Sequence, residues 1–267
     1  MRRGLLLALL VAGCVPATER RGGQAGPRSG IVSTNPCVDA ILVRLVDPSR
    51  IVALSRYSQD PDATSMPLTV ARRFRVTAGT AEEVIALNPA LVLADSFAPA
   101  TTLAAYRQAG LRTVVPGSPT SVAASVAQVR EVAAAVGEAG RGEALVREIE
   151  GSLGRPASGT KPSALFFITG DLASGSGNLL DELLTRAGFR NAAADYGLAY
   201  TGTIPLETQV ARPPDVVIST GFGRSAALRA RLLPQVRLAS FPRTLVNCGG
   251  PSIAPAMARL RAIRTSL

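Results

Sequence analysis

A stretch from the first half of this 267-residue chain returns in the second. "EEVIALNPALVLADSF" (Glu82–Phe97) aligns with "ETQVARPPDVVISTGF" (Glu207–Phe222), pairing Glu82 with Glu207, Pro89 with Pro214 and Val92 with Val217. On either side, "VDAILVRL" (Val38–Leu45) resembles "LDELLTRA" (Leu180–Ala187), and "RTVV" (Arg112–Val115) answers "RTLV" (Arg243–Val246). Similar apolar patterns occur in any α/β chain, so each match is weak by itself. Their common order is what points to a duplicated lobe. Within the first half, Ile31–Ser33, Ile51–Leu54, Leu91–Ala94 and Thr113–Val115 read as strands. Val38–Val46, Ala81–Leu87, Thr101–Gln108 and Val122–Val136 read as helices. In the second half, Ala164–Thr169 reads as a strand and Ile253–Ile263 as a closing helix.

This alternation predicts an α/β fold with two Rossmann-like lobes and mostly parallel sheets. Between the halves, Ser121–Arg155 is Ala-rich with helical spacing and is broken near Gly137 to Gly142, with Glu143–Leu153 as its second, amphipathic part. It reads as a rigid helical connector. The expected organisation is a signal peptide at 1–13, a flexible tether at 14–29, an N-terminal lobe at 30–118, the connector at 119–157 and a C-terminal lobe at 158–267. Ligands of open parallel sheets bind beyond the carboxyl ends of the strands. Four loops fall at such ends: Ser33–Cys37, Ser55–Ser58, Gly170–Asn178 and Asn247–Ser252. A ligand cleft between the lobes is therefore expected.

Composition removes several function classes. Histidine is absent, which takes away the usual general base and the commonest metal ligand. No resident metal, cofactor or catalytic residue is expected. The net charge is +10, and Lys161 is the only lysine. The arginines are scattered and not interleaved with aromatics, which argues against nucleic acid as a partner. "GSGN" (Gly175–Asn178) could let a backbone approach a ligand closely, but no Lys-Ser/Thr follows it, so it is not a P-loop.

The chain opens "MRRGLLLALLVAGC". Two arginines precede an apolar run that is too short to span a bilayer, which needs about 20 residues. This is an export signal. Its end, Val11-Ala12-Gly13-Cys14, resembles the bacterial lipobox, so Cys14 is expected to be lipidated and to anchor the protein to a membrane on the periplasmic side. The polar, Gly-rich residues that follow suit a tether.

Together these features resemble the periplasmic substrate-binding proteins of ABC importers for cobalamin, iron–siderophores and haem. The stretches that carry the resemblance are "RIVALSRYSQDP" (Arg50–Pro61), "AEEVIALNPALVLA" (Ala81–Ala94), "GSGNLLDELLTRAGFRNAA" (Gly175–Ala193) and "IPLETQVARPPDVVIS" (Ile204–Ser219). The resemblance implies a monomeric, non-enzymatic binding protein that captures a small-molecule metal complex. It would pass that complex to an ABC permease with its ATPase. In that family a surface glutamate on each lobe docks into arginine-lined pockets of the permease, and Glu82 and Glu207 fall at the matching positions. Tyr57 falls where members often place a ligand-contacting aromatic. Asn35, Arg56, Ser174, Gly175, Tyr200, Phe222, Arg224 and Gly249 are further ligand candidates by loop position. Cobalamin binders of the family commonly offer tryptophan, and this chain has none.

Cys37 and Cys248 lie in expected cleft loops of opposite halves. Three readings stand: a nucleophile, disfavoured without a histidine base; an inter-lobe disulfide, suited to an oxidising compartment; or two residues that line the cleft and touch the ligand. The alternatives to a transport role are a secreted α/β enzyme using Cys37 and a scaffold lipoprotein.

Overall fold

The computed structural model describes residues 27–155, 159–221 and 224–267. The leader, Cys14 and Phe222 lie outside the described residues. The first lobe runs β1 (Ile31–Ser33), α1 (Pro36–Leu45), β2 (Ile51–Ser55), α2 (Leu68–Ala71), β3 (Val76–Thr77), α3 (Ala81–Ala86), β4 (Leu91–Leu93), α4 (Ala100–Gln108) and β5 (Thr113–Val114). Its strands form one parallel sheet in the order β3-β2-β1-β4-β5. Helix α1 shows how local sequence sets an element. Asn35 caps it, its Oδ1 accepting from the amides of Cys37 (2.9 Å) and Val38 (3.3 Å). Pro36 fills the first helical position, where its missing N–H is not needed. Val38, Ile41, Leu42 and Leu45 then form a buried stripe at helical spacing. The helix thus starts two residues before Val38, and Cys37 sits in its first turn rather than in a loop.

Two antiparallel helices follow, α5 (Val122–Val136) and α6 (Ala139–Leu153). The break between them is confined to Gly137 and Glu138. Gly137 takes a left-handed conformation (φ +77°) that closes α5. Gly142, expected in the break, lies inside α6. A Cβ there would come within 2.4 Å of the Ala133 Cβ, so its role is close helix–helix packing rather than helix termination.

The second lobe contains β6 (Ser163–Thr169), β7 (Leu172–Ala173), α7 (Leu179–Arg186), β8 (Arg190–Asn191), β9 (Gly202–Thr203), α8 (Leu206–Ala211), β10 (Val216–Ser219), α9 (Arg224–Leu232), β11 (Arg237–Ser240) and α10 (Ile253–Thr265). Its sheet runs β11-β10-β6-β7-β9, with β8 also on β6. The parallel set β8, β6, β10 and β11 repeats the first lobe's β2, β1, β4 and β5. The antiparallel strands β7 and β9 are additions to the repeat. The duplication places α1 opposite α7 and α3 opposite α8, as the sequence echoes imply. The echo of "RTVV" in "RTLV" is corrected: Arg243–Leu245 forms a 3-10 turn, and the counterpart of β5 is β11. Phe241 ends the sheet pairing through its bond to Ser219 O, and Pro242 turns the chain away before Arg243 is reached.

One buried cluster runs through both lobes. It joins Val38 and Ile41 of α1, Val129 of α5, Ile149 of α6, Phe166 of β6, Phe241 and Leu260 of α10. Phe166 and Phe241 meet edge to face with centroids 5.1 Å apart. Each lobe also has a smaller cluster on the far face of its sheet. Among the described residues no helix is long and apolar enough to cross a membrane.

Candidate functional site

A cavity of about 420 Å³ lies between the lobes, at the carboxyl ends of the strands. In the first sheet the strand order reverses between β1 and β4, and the crevice beyond such a point is where open sheets take ligands. Both loops at that point reach the cavity: Asn35 and Cys37 after β1, and Asp95 and Phe97 after β4. Lobe two contributes Ser174, the start of α7 at Asn178, and the segment from Val246 to Gly249. Gln128 of α5 closes the back.

The polar walls are internally braced. Asn178 caps α7 by accepting from the Asp181 amide, while its Nδ2 donates to Ser174 Oγ and Gly175 O, each at 3.1 Å. Asp95 Oδ1 accepts from the Phe97 amide at 2.8 Å, and the Asp95 amide donates to Thr34 Oγ1 at 3.0 Å. That turn holds the Phe97 ring 84% exposed at the rim. Gln128 is buried; its Nε2 donates to Gly117 O at 2.6 Å, and its Oε1 has no partner.

Cys37 and Cys248 are joined in a disulfide, with Cα atoms 5.2 Å apart, in the wall of the cavity. Cys37 therefore has no free thiol to act as a nucleophile. Beside this bond, Asp62 of lobe one is held by lobe two. Its carbonyl accepts from Arg243 Nε (3.1 Å) and Asn247 Nδ2 (3.0 Å), and its carboxylate pairs with Arg243 at 3.1 Å.

Of the residues expected at the ligand site, Asn35, Cys37, Ser174, Cys248 and Gly249 line the cavity. Arg56, Tyr57, Gly175, Tyr200 and Arg224 do not. Arg56 and Tyr57 lie on the exposed turn after β2, where Arg56 Nη2 meets the Tyr57 hydroxyl at 3.2 Å and the guanidinium stands 5.0 Å over the ring. Tyr57 is 45% exposed and Tyr200 81%. Arg224 begins α9 and faces solvent. Gly175 owes its small size to the protein itself, because a Cβ there would meet Tyr200 O at 2.3 Å. Phe222 lies outside the described residues. The cavity adds residues that were not singled out, among them Asp95, Phe97, Thr120, Gln128 and Thr201. The reversal of strand order between β1 and β4 was the signal for the first two. Glu82 and Glu207 stand at the second position of α3 and α8, each exposed, and neither forms an ion pair among the described residues. No group of three His, Cys, Asp or Glu residues among the described residues could hold a metal ion.

The family described as "Periplasmic binding protein" matches residues 31–231. The chain belongs to this family. No curated protein matches it. Among solved structures, the two-lobed periplasmic binding fold recurs in the apo haem-binding protein RhuT from Roseiflexus sp. RS-1 (TM-score 0.64, 23% identity, 88% of this chain and 98% of that one). It recurs in the haem-binding protein HutB of Vibrio cholerae (0.71, 17%, 88% and 98%). A possible iron-binding periplasmic protein from Staphylococcus epidermidis is similar too (0.72, 18%, 88% and 98%). At these identities the likeness is one of fold. As a periplasmic binding protein, the chain has the architecture for holding a solute between lobes.

Proposed function

We propose that this protein is the solute-capturing subunit of an ABC importer, and that its solute is a metal complex such as haem, a ferric siderophore or a cobalamin. The observation that carries this reading is the inter-lobe cavity at the strand ends, built by both halves of a duplicated α/β chain. In each of these solutes the metal arrives already chelated. The exposed ring of Phe97 in the cavity wall suits a bulky, partly flat solute. The haem-binding proteins RhuT and HutB share the fold and support haem as the first solute to test. Cys14 anchors the body to a membrane, leaving it in the periplasm as a monomer. Glu82 and Glu207, one per lobe at matching positions, dock two arginine-lined pockets of a permease, as directional carboxylate–guanidinium pairs can. The residues of the cavity wall contact the solute.

The test is titration of the purified chain with hemin, cyanocobalamin and a ferric hydroxamate, read by ligand absorbance and by quenching of tyrosine fluorescence, which no tryptophan obscures. Saturable binding of one complex at micromolar concentration or tighter is expected. Failure of all three, together with an empty cleft in native mass spectra of protein taken from the periplasm, would overturn the metal-complex reading.

A further inference from the structure

Asp39 is fully buried in the first turn of α1 and faces the turn that follows β2. Its Oδ2 accepts from the Ser55 amide at 2.8 Å and from the Ser58 hydroxyl at 2.6 Å. One oxygen thereby grips both sides of Arg56 and Tyr57. Its Oδ1 is also buried and has no hydrogen-bond partner. A buried anionic oxygen without a donor is costly, while a protonated one needs only an acceptor. The Ser33 hydroxyl, buried as well, is engaged with Asn35, donating to its carbonyl at 3.4 Å and accepting from its amide at 3.5 Å.

The second lobe supplies an internal control. Asp181 of α7, the echo of Asp39, ties the corresponding region: its Oδ1 accepts from Asn191 Nδ2 at 3.0 Å and its Oδ2 from the Gly177 amide at 2.9 Å. Asp181 is partly exposed, and both its oxygens are satisfied. The same tie therefore exists in both lobes, but only in the first is it buried with an orphaned oxygen.

We propose that Asp39 is a positioning residue, which latches the Arg56–Gln59 turn onto α1 when protonated and loosens it when ionised. This role is separate from the solute cavity, which that turn does not line. Burial pushes the Asp39 carboxyl up to about 7, against the lowering effect of the neighbouring Ser33 hydroxyl and of the bonds from Ser58 and Ser55. Helix α1 packs against β1, β2, the turn after β2, α5 and α6. The charged group that acts on Asp39 from its surroundings is Asp95, on the loop after β4, and it raises the value further. Opening the turn hydrates the carboxyl and returns it towards its ordinary range. The closed turn thus holds its proton more tightly than the open one, and acid favours the closed form.

Hydrogen exchange of the Ser55–Gln59 amides in the full protein, corrected for intrinsic base catalysis, reads the latch directly. Between pH 5 and 7 opening should become easier by up to about tenfold per pH unit, then level off above 7. Asp39→Asn keeps an acceptor for Ser55 and Ser58 and supplies an N–H towards Ser33. It should flatten the profile and keep the turn protected at pH 8. Ser58→Ala should lower protection at every pH while leaving the slope. Wild-type protection that is constant or rises across pH 5 to 8 would refute the latch, as would an Asp39→Asn variant with the wild-type slope. No solute is needed for this measurement, so its failure is separate from failure of the transport role, which the solute titrations read.

Discussion

Reducing the Cys37–Cys248 bond should be the most damaging single covalent change available in this molecule. The bond closes a loop with a sequence separation of 211 residues. In the chain-entropy description, a cross-link of that span removes about 5 kcal/mol of conformational freedom from the unfolded chain at 25 °C. The structure argues that much of this survives as net stability, because the folded state keeps its geometry without the bond. The shared core and the Asp62 contacts to Arg243 and Asn247 hold the same two segments together. The expected loss is therefore about 3–5 kcal/mol, a large share of the roughly 5–15 kcal/mol of a typical domain. The assay is guanidinium unfolding of three samples: oxidised wild type, dithiothreitol-treated wild type, and the double variant Cys37→Ala with Cys248→Ala. Both samples without the disulfide should unfold at lower denaturant and agree with each other within about 1 kcal/mol, since Cys37 and Cys248 are small and their truncation opens little space. A loss below about 1 kcal/mol would show that the unfolded chain is already compact enough to make the link redundant. Two titratable thiols in protein from an oxidising compartment would refute the bond itself.

Three other expectations can be checked with standard measurements. The double change Glu82→Ala with Glu207→Ala should leave the melting temperature nearly unaltered, since exposed carboxylates are worth under about 1 kcal/mol, yet abolish solute uptake through reconstituted permease; normal uptake would remove the docking role. Gly142→Val should cost about 1–3 kcal/mol in unfolding free energy by forcing α6 away from Ala133, and an unchanged denaturation midpoint would show that the helix pair can separate freely. For pH, the folded Asp39 carboxyl near 7 exceeds its unfolded value of 3.8, so the stability linked to it is complete below about 4 and lost as pH rises through 7. The carboxylates of Asp47, Glu83, Glu143 and Asp215 are lowered by hydrogen bonds instead and lose stability only in stronger acid. The melting temperature should therefore fall from pH 5 to pH 8, and Asp39→Asn should remove that fall.

Much of the fold was legible because its signals are local. The buried stripe of α1 and the Glu–Pro–strand pattern shared by α3–β4 and α8–β10 each depend on spacing within about fifteen residues. What escaped depends on contacts between distant segments. Gly142 reads as a helix breaker until Ala133 of the neighbouring helix is placed against it. "RTLV" reads as a strand by composition, but Phe241 already completes the pairing with β10. At the site, Asn35, Ser174 and Gly249 could be found from strand-end position alone. Gln128 could not, because its place in the cavity depends on how α5 passes behind both lobes. Gly175 was picked for a ligand's approach, whereas the backbone that needs the space belongs to Tyr200.

The joins between the halves bear on how such a protein captures anything. A hinge that opened widely would have to separate Val129 and Ile149 from the apolar faces of α1 and α10, which lie in one continuous cluster. It would also have to break the three contacts of Asp62 and stretch a covalent bond in the cavity wall. Exposing even a few of those buried side chains costs about 1.5–3 kcal/mol each, a cost that differential binding of the solute would have to offset in full. The cleft is therefore largely preformed, and the turn in its wall from Asp95 to Phe97 is held by its own carboxylate. The two exposed glutamates sit one per lobe in the first turn of short helices, the arrangement that the proposed two-point docking requires.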